Sequence, residues 1–293
     1  MAALRGKTAI VTGASSGVGK ATVKALVSES ARVIGVARGE AGLAALRTEM
    51  PQGLDTVRAD SSEPGLAERL LRETRPDLIV VVGGVRPKMA PIDEQSWEEF
   101  SETWNSDTKT AFHFCKGAVA LPLRPGSTVV LVSSGAASNG SHLSGGYAGA
   151  KRMQWWLAGY AQQRSDRKQL GIRFLAVVPK QLIEGTPIAV SASAAYGAWL
   201  GTTGAEFMKR YDVPLDADKV AAAIVAGLRG DVEAGVTAIA DVRSSPFSRR
   251  LPFFLLPFPV PRDPNADFVE HLQRQEHDQL RDDFRRRQHR AQH

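Results

Sequence analysis

The stretch TAIVTGASSGVG, from Thr8 to Gly19, decides the architecture of this 293-residue chain. Thr8 to Val11 is a short apolar strand, and the spacing of Ala21, Val23, Ala25, Leu26 and Val27 predicts a helix beyond the turn. Between them, glycines at 13, 17 and 19 allow a tight turn and close backbone approach. A strand, a glycine turn and a helix in this order leave the backbone of Gly13, Ser15, Ser16, Gly17, Val18 and Gly19 around a helix N-terminus. Phosphate can rest there on free amide groups. A glycine triplet alone is weak evidence; its flanking elements give it weight.

Reading on from this turn, strands and helices alternate. Arg32 to Ala37 is the second strand and residues 40–49 a short amphipathic helix. Asp55 to Asp60 is the third strand, followed by a polar helix from Pro64 to Arg75. Asp77 to Gly84 is a very apolar central strand that ends in Gly83 and Gly84, where backbone can lie against a ligand. Trp97 to Leu121 is the longest expected helix, Val129 to Val132 the fifth strand and Gly171 to Val178 the sixth, closed by Pro179. This alternation predicts an α/β fold, a doubly wound parallel sheet of Rossmann type with helices on both faces.

In such a fold the end of the second strand meets the adenine ribose. An acid there would bind the 2′-hydroxyl, and an arginine would accommodate a 2′-phosphate. Ala37 followed by Arg38 therefore points to NADP(H) as the cofactor. Asp60 and Ser61, at the end of the third strand, are placed to touch the adenine.

The chemistry is concentrated between Thr128 and Lys151. A buried strand ends in Ser134, a run of small residues follows, and Tyr147-Ala-Gly-Ala-Lys151 opens a helical segment. Residues four apart share a helix face, so the phenol and the ammonium lie one turn apart. A phenol exchanges protons poorly near neutrality, and a neighbouring cation favours its ionised form. Tyr147 can then act as a general acid or base on a carbonyl or alcohol oxygen, which the Ser134 hydroxyl would hold. Such a pair is also common on solvated helices, so the spacing alone does not settle its role.

Composition sets further bounds. The chain is 43% hydrophobic and 23% charged, ordinary for a globular protein with a full core. Its one cysteine, Cys115, excludes an intrachain disulfide and a thiolate-cluster metal site, and a reducing cytoplasm is the expected compartment. The sequence shows no signal peptide and no run long enough to span a membrane. The formal charge of +6 comes from scattered residues without an aromatic-interleaved basic stripe, which argues against a nucleic-acid partner.

Taken together, the Thr12 to Gly19 turn, Ser134 and the Tyr147 to Lys151 motif resemble the short-chain dehydrogenase/reductase family over about residues 5–240. The resemblance implies a Ser-Tyr-Lys site at the C-terminal ends of the strands and no metal. In that reading hydride passes between NADP(H) and a small carbonyl or alcohol substrate, and Ser134, Tyr147 and Lys151 are catalytic. Lys151 also holds the nicotinamide ribose. A homotetramer or homodimer built on the long helices is expected. Other outcomes known in such a family remain open: enone or imine reduction, epimerisation, dehydration, or dinucleotide sensing without turnover.

Four departures from the family pattern stand out. Val81-Val-Gly-Gly84 replaces Asn-Asn-Ala-Gly and loses polar side chains that brace the central sheet. The relay asparagine falls on Asp107, a catalytic candidate, with Asn105 two residues away. Pro179 is followed by Lys180 rather than glycine, and the threonine expected at the nicotinamide comes late, as Thr186. The fourth is a C-terminal extension.

Residues 1–242 thus read as the dinucleotide-binding catalytic domain, with a substrate lid around 183–215. Tyr196, Trp199, Phe207, Met208 and Tyr211 in that lid either line a pocket or pack internally. Residues 243–293 read as a proline-rich arm followed by a charged helical tail, which holds four of the six histidines.

Overall fold

The computed structural model describes residues 4–230, and the backbone of two further strands at 236–240 and 253–257. The expected arm and charged tail, apart from the second of these strands, lie outside the described residues.

Seven strands form a parallel sheet: β1 (Thr8–Thr12), β2 (Arg32–Ala37), β3 (Leu54–Arg58), β4 (Leu78–Val81), β5 (Thr128–Val132), β6 (Arg173–Val177) and β7 (Val236–Ala240). An eighth, β8 (Phe253–Pro257), extends the order to β3-β2-β1-β4-β5-β6-β7-β8. Parallel neighbours need crossovers, and the helices supply them. These are α1 (Gly17–Ser28), α2 (Glu40–Glu49), α3 (Leu66–Thr74), α4 (Trp97–Thr103), α5 (Lys109–Ala120), the short α6 (Ala136–Asn139), α7 (Gly146–Arg167), α8 (Pro187–Trp199), the short α9 (Gly204–Met208) and α10 (Ala217–Arg229). The doubly wound α/β architecture is as expected, because each central strand is an apolar run that must be covered on both faces.

Register shows how tightly the centre is specified. Val11 pairs with Val80, Val80 with Val130, and Val130 with Leu175, and all four are fully buried. On one face Val23 and Leu26 of α1 and Ile224 and Leu228 of α10 join these strands in a single cluster. Each such side chain contributes about 1.5–3 kcal/mol on burial. On the other side of the packing, α5 contacts β4 and α7 contacts β5 and β6.

The chain runs outward from β1 to β2 and β3, then returns to β4 on β1's other side. This reversal opens a crevice at the carboxyl ends of β1 and β4, the place where ligands bind in open α/β sheets. Two close backbone approaches build it. Gly13 has φ of +61°, and a Cβ there would lie 2.8 Å from the Val82 carbonyl oxygen. A Cβ at Gly19 would lie 2.1 Å from the Gly13 carbonyl oxygen, so α1 seats against the turn only with glycine at both positions.

Two expectations are corrected. The span from Trp97 to Leu121 is not one helix: α4 and α5 are separated by a π-turn, Trp104–Thr108, leaving α7 with 22 residues as the longest described helix. Two apolar residues of this span, Trp104 and Phe112, are 37% and 45% exposed. The lost brace at Val81-Val82 is also replaced. The buried Thr12 hydroxyl donates to the Val82 carbonyl at 2.7 Å and accepts the Val82 N–H at 2.9 Å, tying β1 to the end of β4.

Candidate active site

One cleft of about 430 Å³ runs along the carboxyl ends of the strands. The expected catalytic and cofactor-binding residues line it, whereas Asn105 and the lid aromatics do not. From the glycine turn come Gly13, Ser15, Ser16, Gly17, Val18 and Gly19; Arg38 follows β2, Asp60 and Ser61 follow β3, and Gly83 and Gly84 follow β4. Asp107 reaches in from the π-turn, Ser134 from the end of β5, Tyr147 and Lys151 from α7, and Pro179 and Thr186 from the segment after β6.

At one end the N-terminus of α1 is open. Ser16 stands at the N-cap in extended conformation, and its side chain makes no capping hydrogen bond. The first-turn amides, together with the positive end of the helix dipole, are left for an anion. Arg38 lies beyond this turn with its side chain 62% exposed, 3.9 Å from an Asp60 carboxylate oxygen. Asp60 also accepts from the backbone N–H and hydroxyl of Ser62, at 2.9 and 2.8 Å. Partial burial works against its charge. The Ser62 hydrogen bonds, with Arg38 and Lys109, outweigh that and hold the carboxyl below its usual range. The loose Arg38 contact leaves the guanidinium able to turn toward a phosphate.

At the other end lie the hydroxyls and the ammonium. Val132 carries β5 to its end, and Ser133 and Ser134 then point to different sides, as successive residues of an extended chain do. The buried Ser133 hydroxyl donates to the backbone carbonyl of Lys151 at 2.7 Å, docking α7 onto β5. Ser134, half-buried at the cleft, accepts from the Ala136 N–H at 3.2 Å. Tyr147 and Lys151 share a face of α7, with Nζ 5.6 Å from the centre of the phenol ring.

Lys151 is buried, and its Nζ lies 3.0 Å from Asp107 Oδ2, whose side chain is fully enclosed. Asp107 Oδ1 accepts the Val85 N–H at 3.1 Å. Between the two relay candidates the geometry distinguishes clearly: Asn105 is exposed and donates to Ser101, away from the cleft. Burial is the largest influence on Lys151 and works against its charge. The Asp107 carboxylate and Tyr147 outweigh it, raising the ammonium above its ordinary range.

Thr186 lines the cleft with its hydroxyl engaged. Oγ1 donates to the Ile183 carbonyl at 2.7 Å and accepts the Ala189 N–H at 3.2 Å, as the N-cap of α8, with Pro187 at the first helical position. None of the lid aromatics lines the cleft. Tyr196 stacks on Phe207 at 5.3 Å, and Trp199 lies against His142 at 4.3 Å. The lid's contribution comes from Ile183, Thr186, Pro187, Ile188 and Ala189, next to Gln181 and Leu182 just ahead of it.

Sequence reasoning missed three residues here. Arg86 lies two positions beyond Gly84, on the cleft wall. Ser133 was hidden beside Ser134. Gln154, 1% exposed, donates to the Asp107 backbone carbonyl at 3.0 Å. The signal was present in the last case: Gln154 is a polar residue three positions after Lys151, set between Met153 and Trp155. Among the described residues, no group of three or more His, Cys, Asp or Glu side chains could hold a metal ion. No helix among them is long and apolar enough to cross a membrane.

Comparison with known proteins adds relatives to this geometry. The family model for short chain dehydrogenase matches residues 7–196. The chain is 27% identical over 181 residues to the NADPH-dependent pterin aldehyde reductase of Arabidopsis thaliana, covering 59% of this chain and 74% of that protein. It is 34% identical over 107 residues to carbonyl reductase [NADPH] 2 of Sus scrofa, where the match spans 36% of this chain and only 43% of the relative. Among solved structures, levodione reductase superposes with a TM-score of 0.68 at 23% identity, covering 78% of this chain and 92% of that one, a likeness of fold.

Proposed function

Since the chain belongs to the short-chain dehydrogenase family, we propose that it is an NADP(H)-dependent oxidoreductase acting on a carbonyl group or a secondary alcohol. The observation that carries this reading is the meeting of Ser134, Tyr147 and Lys151 in the cleft that also holds the uncapped N-terminus of α1. The cleft suits a dinucleotide: free amides for the pyrophosphate, and a loosely held Arg38 for the 2′-phosphate. The names of the Arabidopsis and pig relatives, both NADPH reductases, support the same cofactor.

When bound, the nicotinamide supplies or accepts the hydride. The Ser134 hydroxyl orients the substrate oxygen, and the Tyr147 hydroxyl gives it a proton in reduction and takes one in oxidation. Lys151 presents positive charge beside the phenol and binds the nicotinamide ribose. Gly83 and Gly84 let backbone lie close to the cofactor, and Asp60 and Ser61 face the adenine. Gly13, Ser15, Ser16, Gly17, Val18 and Gly19 cradle the phosphates. Pro179 and Thr186 border the nicotinamide, with Thr186 acting through its backbone and methyl, since its hydroxyl caps α8.

In this reading residues 1–242 are the catalytic domain and 183–215 the lid over a small carbonyl or alcohol substrate. The protein works in the cytoplasm as a homodimer or homotetramer. Exposed Trp156 and Tyr160 of α7 and Phe112 of α5 support an assembly through the long helices.

The test is turnover of NADPH with a panel of ketones and aldehydes, using NADPH deuterated at C4. Deuterium on the carbinol carbon of the product is the expected result. NADPH binding without consumption across ketones, enones and imines would refute the enzyme in favour of a dinucleotide sensor.

A further inference from the structure

At the base of the cleft a buried ammonium meets a buried carboxylate, Lys151 and Asp107, at 3.0 Å. Three features fix the carboxylate there. Its Oδ1 accepts the Val85 N–H at 3.1 Å. Gly84 leaves room for it, since a Cβ at that position would lie 2.1 Å from Oδ2. The backbone carbonyl of Asp107 sits in the π-turn and accepts Gln154 Nε2 at 3.0 Å. Lys151 and Gln154 are three apart on α7 and so share one face. One helix therefore carries both the cation and the amide that anchors its counter-ion.

Resting on the oxidoreductase reading above, we propose that Asp107 is the counter-ion that keeps Lys151 protonated across the working pH range, and that Gln154 is the positioning residue that fixes Asp107. An enclosed ammonium without a partner loses its proton readily, because burial disfavours the charged form. Burial is indeed the largest influence on Lys151, and it is outweighed only by the opposing contributions of Asp107 and Tyr147. Among the described residues, no other element brings an ionisable group to Nζ. The end of β5 offers the Val132 carbonyl and Ser133, and the end of β4 offers Gly83 and Gly84. Arg86 and Lys109 are exposed, and Arg152 lays its guanidinium on the rings of Trp155 and Trp156. With an uncharged side chain at position 107, Tyr147 would be the one remaining counter-charge, and it supplies none while it holds its proton.

The ionisation of Lys151 can be followed without turnover, by carbon-13 NMR of the cofactor-free protein labelled at lysine Cε. Loss of one resonance in Lys151→Met assigns the signal. In Asp107→Asn, which preserves volume and an acceptor for Val85, the Lys151 titration should move to lower pH. Gln154→Met, which cannot donate to the Asp107 carbonyl, should move it the same way by less. In the Asp107→Asn enzyme, carbonyl reduction between about pH 7 and about pH 9.5 should fall about tenfold more than in wild type. A Lys151 titration unchanged in folded Asp107→Asn overturns the counter-ion role. A wild-type titration in Gln154→Met overturns the positioning role. Should Asp107→Asn not fold, Gly84→Ala serves in its place: the new Cβ displaces the carboxylate and must lower the titration, and no shift there overturns the proposal. Absence of any carbonyl or alcohol turnover in wild type would sink the oxidoreductase reading, while the NMR titration still decides the ion pair.

Discussion

Replacing Thr12 by valine removes a hydroxyl and keeps the shape, which isolates the brace between β1 and β4. In the native protein the fully buried Oγ1 serves both the N–H and the carbonyl of Val82. Valine leaves both groups without their partner in a place water does not reach. An unsatisfied buried polar group costs about 1–3 kcal/mol, so the pair should cost about 3 kcal/mol. For a domain of this size each kcal/mol lowers Tm by about 2–4 °C, which predicts a fall of about 6–12 °C in a thermal melt. Thr12→Ser is the control: it keeps the hydroxyl and loses a methyl group, at about 1 kcal/mol or about 2–4 °C. Because Val82 leads into Gly83 and Gly84 on the cleft wall, NADPH affinity measured by nucleotide fluorescence should weaken in Thr12→Val and hold in Thr12→Ser. A valine variant that melts no lower than the serine variant would refute the brace and return its function to backbone pairing alone.

Other outcomes follow from the same geometry. Tyr147→Phe should lower kcat by at least about a hundredfold, the span of a lost general acid, with NADPH affinity near wild type; retained turnover in stopped-flow would remove Tyr147 from the chemistry. Arg38→Ala should raise KM for NADPH about tenfold or more and leave KM for NADH nearly unchanged, since one charge-assisted phosphate contact is lost. Equal losses with both cofactors would count against a 2′-phosphate contact. Cys115 is enclosed, and burial pushes its thiol up to about 12. It should resist an aromatic disulfide reagent at mildly alkaline pH until denaturant is added, and rapid labelling of the native protein would contradict its burial.

The parts of the fold that rest on local patterns could be read directly. Arg32–Ala37 and Glu40–Glu49 begin and end where the sequence places them, because an apolar run bounded by polar residues and a short amphipathic repeat are complete signals in themselves. The third and sixth strands are shorter than expected, Leu54–Arg58 and Arg173–Val177, since strand ends depend on where a neighbour stops pairing. Helix α10, from Ala217 to Arg229, was not anticipated. The signals for it stand in the sequence: Asp216 caps it, and Gly230 follows in left-handed conformation.

The cleft divides in the same way. Its residue types and spacings, from the glycine turn to Ser134, Tyr147 and Lys151, are set by local chemistry and stand in the sequence alone. What the sequence left open was Asp107 against Asn105, and no periodicity could choose between them. The choice depends on a π-turn that rotates Asp107 inward, on a glycine at 84 that admits its carboxylate, and on Gln154, which holds its carbonyl from another helix. These contacts join residues 23 to 47 positions apart, so they exist only once the sheet has assembled and brought α7 against the turn. The sequence by itself determined which groups meet at the cleft; tertiary packing decided which of them face each other and which charge stands beside Lys151.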